Sequence, residues 1–224
     1  MKKQKICIIG GGLTGLITAL TLSKLNLEVD LITGNADRAK KINRTIAISQ
    51  DNYNFLKKLN VFKLSKRNFW PCNRMKLYEE TKNGKFVEMF KIDKKNKIFY
   101  MIENSVIIKK LIFIIKKNKS IKLIANKKIS EIKSLGHLKS VKLSKKNYYL
   151  YNLVIICTGN NSNLVKNLFK EKSIEHSYNE VSLTTTLNHS SFANNTARQV
   201  FLKKEIVALL PISITKTSIV WTVN

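Results

Sequence analysis

Apolar residues along this chain recur at two spacings, and the places where one spacing gives way to the other mark its elements. Residues 6–9 form a short continuous apolar run, as in a strand buried on both faces. From Leu13 the apolar positions Leu16, Ile17, Leu20 and Leu22 follow near-helical spacing through residues 13–25, and residues 28–32 read as a second strand. Phe55, Leu56 and Leu59 suggest a short helix over 51–59. Residues 75–90 read as a hairpin that turns at Asn83-Gly84, the strongest short-range hairpin signal. Helical spacing returns over 103–117, with Val106, Ile107, Leu111, Ile114 and Ile115 on one side. Short strands are predicted at 121–125, 129–132, 138–143 and 148–151, then a second continuous apolar run at 153–157. The remainder, 178–187 and 197–223, has the look of antiparallel strands.

Between the first strand and the first helix lie Gly10, Gly12 and Gly15, filling G-x-G-x-x-G. Strand, glycine turn, helix and strand within about 30 residues is the context in which that motif binds a dinucleotide. Gly10 permits a tight turn, Gly12 lets the backbone approach a pyrophosphate, and Gly15 lets the helix pack closely. Free N–H groups at the positive end of the helix then favour phosphates. At the end of the second strand such folds place an acid for the ribose hydroxyls. Here that position is Thr33. Asp30 lies inside the strand, and Asp37 is a substitute in the following loop. The missing acid beside Arg38, Lys40 and Lys41 also suits a 2′-phosphate, so an NADP-dependent dehydrogenase remains an alternative. The second apolar run ends in Thr158-Gly159-Asn160-Asn161-Ser162, either another cofactor contact or an ordinary strand-to-helix turn.

Composition narrows the options. The 224 residues are 44% hydrophobic, enough for one or two modest cores. A basic start before an apolar run resembles a secretory signal, but three successive glycines interrupt the run. Cys7, Cys72 and Cys157 are far apart and two lie in apolar runs, which predicts reduced, buried thiols and a cytoplasmic setting. His137, His176 and His189 share no ligand spacing with them, so no metal site is expected. The net charge of +27 is spread along the chain among Asn and Ile, without a dense basic block. It reads first as a solvated lysine surface, next as attraction to an anionic membrane surface. Nucleic acid is not expected as a partner, because it leaves the glycine turn unexplained.

Four stretches, in order, carry a resemblance to the flavin-dependent aromatic hydroxylases of ubiquinone biosynthesis, within the para-hydroxybenzoate-hydroxylase-like monooxygenases. The turn from Gly10 through Leu13 and Thr14 to Gly15 resembles the FAD pyrophosphate turn. Arg44-Thr45-Ile46-Ala47-Ile48-Ser49 is similar to the family's R-A-x-A-L-S segment, whose arginine lies beside the flavin nucleotide. Cys157-Thr158-Gly159-Asn160-Asn161-Ser162 resembles A-D-G-x-x-S. Val207-Ala208-Leu209-Leu210-Pro211-Ile212 through Ser218-Ile219-Val220-Trp221-Thr222 resembles A-L-L-P-L…S-L-V-W-T, and Tyr100–Asn104 is a weaker echo of a segment opening a helix near the flavin.

The resemblance implies an α/β fold: a Rossmann-like FAD-binding domain with an inserted antiparallel substrate sheet. The implied division is 1–65 with 101–172 for FAD, and 66–100 with 173–224 for substrate. It implies FAD held by Gly10, Gly12, Leu13, Thr14, Gly15, Thr33, Arg44, Asn104, Thr158 and Gly159, with NAD(P)H as co-substrate. It further implies O2, a prenylated phenol as substrate, ubiquinone-biosynthesis proteins as partners, and peripheral placement at the inner face of the cytoplasmic membrane. No catalytic acid or base is expected, since the cofactor supplies the hard chemistry. Threonine stands where the family has acids, at Thr33 and Thr158. The family's later G-D…P segment has no counterpart before Asn224, so a non-catalytic remnant, or a half-protein needing a partner, is the alternative reading.

Overall fold

The nucleotide-like stretch folds as a parallel sheet. In a computed structural model, which describes residues 3–34, 44–61, 68–94, 97–143, 148–159, 162–168, 174 and 176–224, strand β1 (Lys5–Ile9) leads through the glycine turn into helix α1 (Leu13–Leu22). A 3-10 turn over Ser23–Leu25 follows, and strand β2 (Glu28–Ile32) returns parallel to β1. The remaining elements, in chain order, are β3 (Thr45–Ser49), α2 (Gln50–Lys58), β4 (Trp70–Cys72), β5 (Arg74–Glu80), β6 (Phe86–Asp93), β7 (Phe99–Glu103) and α3 (Asn104–Lys117). After them come β8 (Ile121–Ile124), β9 (Glu131–Leu135), β10 (Leu138–Lys142), β11 (Tyr148–Tyr151), β12 (Leu153–Ile156) and α4 (Asn163–Leu168). Strands β13 (Val181–Asn188), β14 (Thr196–Phe201), β15 (Ile206–Ser213) and β16 (Lys216–Val223) complete the described chain.

Two compact units result, residues 1–41 with 107–175 and residues 42–106 with 176–224. The first holds a four-stranded parallel sheet in the order β12-β1-β2-β8 and a three-stranded antiparallel meander, β11-β10-β9. Its core is Cys7, Ile9 and Ile32 of the parallel sheet packed with Val141, Leu143 and Tyr151 from the meander segment. These β1 residues alternate with Ile6 and Ile8, which are also buried, so β1 is covered on both faces. That explains its unbroken apolar run. Strand β12 has the same apolar sequence yet stands at the sheet edge, where Leu153 remains 49% exposed.

The second unit contains an antiparallel sheet, β3-β7-β4, and a six-stranded sheet in the order β13-β16-β15-β14-β5-β6. Residues 42–65 contribute to this unit because β3 pairs with β7 along its length, Thr45 opposite Glu103 and Ser49 opposite Phe99. The hairpin forms as its turn predicts, with Gly84 at φ +70°. Not every pairing in the larger sheet is antiparallel: β14 runs parallel to β5, Thr196 opposite Arg74. Cys72, Met101 and Ala197 form a small core with Trp70, Phe99 and Leu210. The indole N–H of Trp70 donates to the Asn194 carbonyl, and the Asn194 amide donates to the carbonyls of Ser213 and Lys216 and to the Thr217 hydroxyl. The chain is therefore mixed α/β, with more of its described length in sheet than the helical periodicities suggest.

Candidate nucleotide site

The glycine turn is built by contacts that exclude any side chain at two of its positions. Gly10 has φ +130°, and a Cβ there would lie 2.2 Å from the Cys157 carbonyl oxygen. A Cβ on Gly15 would lie 2.1 Å from the Gly10 carbonyl oxygen. The end of β1 is thereby sewn in on both sides: Gly10 N–H donates to Ile32 O at 2.9 Å, and Cys157 N–H donates to Ile9 O at 2.7 Å. Gly12 is different. It caps α1 in extended geometry, φ −78° and ψ 177°, with no side-chain cap, and open space lies where its Cβ would be. The first-turn N–H groups of α1 thus have neither a capping side chain nor an acidic residue, an arrangement suited to an anion. Leu13 is half-buried and Thr14 exposed at the same helix end.

At the end of β2, Thr33 is 3% exposed and its hydroxyl has no hydrogen-bond partner. Asp30 cannot serve in its place, because its carboxylate is buried and already engaged. Lys5 Nζ sits 3.0 Å from it, and the Tyr151 hydroxyl donates to it at 2.8 Å. Burial first, and then the hydrogen bond to Asp30, pushes the Tyr151 phenol far above its usual range. Burial and the same carboxylate push the Cys7 thiol up to about 12, so neither group exchanges a proton near neutrality. Burial also raises the thiols of Cys72 and Cys157.

Thr158, half-buried, has a hydroxyl without a partner, and Gly159 follows at φ +77° facing open space. Thr158, together with Gly10 of the glycine turn, lines a cavity of about 360 Å³. Ile9, Ile32, Ile129 and Leu164 supply apolar wall, while Gly10, Gly34, Thr158, Ser162 and Asn163 supply polar atoms. Lys127 and Lys128 complete the lining, and no carboxylate is among its described residues. The cavity lies at the carboxyl ends of parallel strands, where ligands of open α/β sheets bind. Its size falls in the usual range for small-molecule sites. The sequence reading missed Lys127 and Lys128. The signal was present, since Asn126-Lys127-Lys128 follows strand β8 as the glycine turn follows β1.

Arg44 and Asn104 belong to the second unit and lie together there. The Asn104 N–H donates to the Arg44 carbonyl at 2.9 Å, continuing the β3–β7 ladder. Arg44 is exposed, whereas Asn104 is 3% exposed and its side-chain oxygen has no partner. Asp37, Arg38, Lys40 and Lys41, and Asn160 with Asn161, fall outside the described residues. Among the described residues there is no cluster with metal-ligand composition, and no helix long and apolar enough to cross a membrane.

No family model matches the chain, and no curated protein sequence matches it. Solved structures do. Pseudomonas aeruginosa PqsL, in complex with 2-aminobenzoylacetate, superposes with TM-score 0.82 at 12% identity, covering 99% of this chain and 61% of that one. CtdE in complex with FAD gives 0.75 at 10% identity, covering 100% and 60%. The p-nitrophenol 4-monooxygenase PnpA of Pseudomonas putida gives 0.77 at 15%, covering 98% and 58%. The chain shares its fold with these proteins, and a further structure of PqsL describes it as a probable FAD-dependent monooxygenase. The chain spans about 60% of the length of these proteins.

Proposed function

We propose that this chain binds FAD through the glycine turn and serves an aromatic-ring monooxygenase. The observation that carries the reading is the contrast within the turn. Two glycines are locked by backbone contacts, while the third leaves room for a phosphate at an uncapped helix end. The unpartnered hydroxyls of Thr33 and Thr158 are suited to a ribose or ribityl hydroxyl. In the second unit the Asn104 side-chain oxygen is likewise buried without a partner. FAD, when bound, supplies the redox and oxygen chemistry, and the chain's residues bind it, orient it and exclude water.

Within that class, the A-L-L-P-I and S-I-V-W-T stretches on β15 and β16 support the ubiquinone-type reading. It brings NAD(P)H as reductant, a prenylated phenol as substrate, and other ubiquinone-biosynthesis proteins as partners. Peripheral attachment to an anionic bilayer at the cytoplasmic face is supported by the +27 charge and by one face of α3. There Phe113 is 51% exposed with Lys110 and Lys117 over its ring at 5.4 and 4.3 Å. The first test is a visible spectrum of the purified chain during FAD titration. Near-stoichiometric uptake with a perturbed flavin spectrum is expected, and a folded chain that leaves FAD free would refute the reading.

A further inference from the structure

We infer that the cavity at the ends of β1, β2 and β12 holds a subsite for a phosphate on the 2′-oxygen of an adenosine ribose, so that it accepts 2′-phosphorylated adenine nucleotides. The inference rests on the reading that this cavity takes the adenosine end of a dinucleotide. In such folds the ribose 2′-position lies at the carboxyl end of the second strand, where a carboxylate accepts the hydroxyl and repels a phosphate, or a nearby cation welcomes it. Here the strand ends at Thr33, a neutral side chain whose buried hydroxyl has no partner. The nearest acid in that strand, Asp30, is consumed by Lys5 and Tyr151.

The element facing this strand end brings cations instead. Thr33 N–H donates to Ile124 O at 3.0 Å, and Lys127 N–H donates back to Thr33 O at 3.1 Å. The backbone of Lys127 is therefore bonded to the residue that occupies the acid's place. Lys127 and Lys128 both line the cavity, both are exposed at its edge, and none of its described lining residues is acidic. An ammonium group facing a phosphate forms a charge-assisted hydrogen bond, stronger than any a lone ribose hydroxyl offers it. The local charge balance thus favours an added dianion where an acid-bearing site would reject one.

The test compares AMP, adenosine 2′,5′-bisphosphate and adenosine 3′,5′-bisphosphate by calorimetry on the full chain, near neutral pH and at low salt. FAD is titrated separately. The two bisphosphates carry equal charge, so general attraction to a basic protein binds them alike. The expected result is that the 2′,5′ compound binds about tenfold or more tightly than AMP and than the 3′,5′ compound. The Lys127→Gln/Lys128→Gln variant should lose that preference, bringing the 2′,5′ compound to the affinity of the 3′,5′ compound. Circular dichroism checks that this exposed double variant is folded. Equal binding of the two bisphosphates, a preference that survives in the variant, or no binding of any adenosine ligand would each overturn the inference. FAD uptake without 2′ preference would leave the flavin reading standing and remove this one. Selective 2′ binding without FAD uptake would do the reverse.

Discussion

At the scale of single residues, the glycine turn separates folding from ligand binding more cleanly than its motif suggests. A methyl group on Gly10 or Gly15 collides with a backbone carbonyl oxygen, that of Cys157 or of Gly10, rather than with the movable end of a side chain. Gly10→Ala and Gly15→Ala are expected to cost roughly 2–4 kcal/mol each, visible as a lower urea midpoint with unchanged slope. Gly12→Ala meets open space at an ordinary φ, so its midpoint should stay within about 0.5 kcal/mol of the parent while FAD affinity falls. Equal destabilisation by all three would contradict the contact pattern. Cys7 gives a second test at this scale. Its folded thiol is raised from 9.0 to about 12, so above pH 9 the unfolded chain releases a proton that the folded chain keeps. Rising pH then favours unfolding, and stability from this group is fully present below 9 and lost towards 12. Cys7→Ala should flatten the alkaline limb of the stability profile by up to about 1.4 kcal/mol per pH unit.

At the scale of elements, the parallel sheet and its meander share one buried polar knot, Asp30 between Lys5 and Tyr151, set in an apolar layer. Tyr151→Phe keeps the ring but removes a hydrogen bond to a buried carboxylate, and a loss of about 1–3 kcal/mol is expected in urea unfolding. A double-mutant cycle with Asp30→Asn should show coupling, because the two groups act on each other directly. This same knot shows where sequence reading stopped. Hydrophobic periodicity located β1, β2, α1 and α3 closely, since each is long or continuous enough to carry its own period. It missed β3, β4 and β7, whose apolar residues make sense only against one another: Ile46 is extended because it pairs with Ile102, not because of its neighbours in sequence. It also displaced β9, expected at 129–132 and found at Glu131–Leu135, because β9's register is set by β10. The site was legible as far as one loop carried a motif. The two lysines beside Thr33 were not, because they approach it from a strand some ninety residues away in sequence, joined by a hydrogen bond that no local pattern encodes.

At the scale of the whole molecule, the charge of +27 has to be weighed as a field and as a local surface. A uniform field would draw the chain to any polyanion and fade with salt, because the Debye length is only about 8 Å at physiological ionic strength. The α3 face adds something a field does not. Phe113 is exposed between Lys110 and Lys117, and an aromatic ring flanked by long basic side chains suits the boundary between headgroups and acyl chains. Each lysine near an anionic leaflet contributes about 1 kcal/mol, so reversing two should remove binding that rests on this face. Flotation with vesicles of mixed neutral and anionic phospholipid should recover the chain at low salt, and vesicles of neutral lipid should not. Lys110→Glu/Lys117→Glu is expected to abolish recovery, whereas Lys203→Glu/Lys204→Glu, an equal change of charge at two exposed residues, should only weaken it. Phe113→Ala should leave the salt-sensitive part intact and remove what survives at higher salt. If both double reversals weaken flotation equally, the attraction belongs to net charge and the helix face has no special part in it.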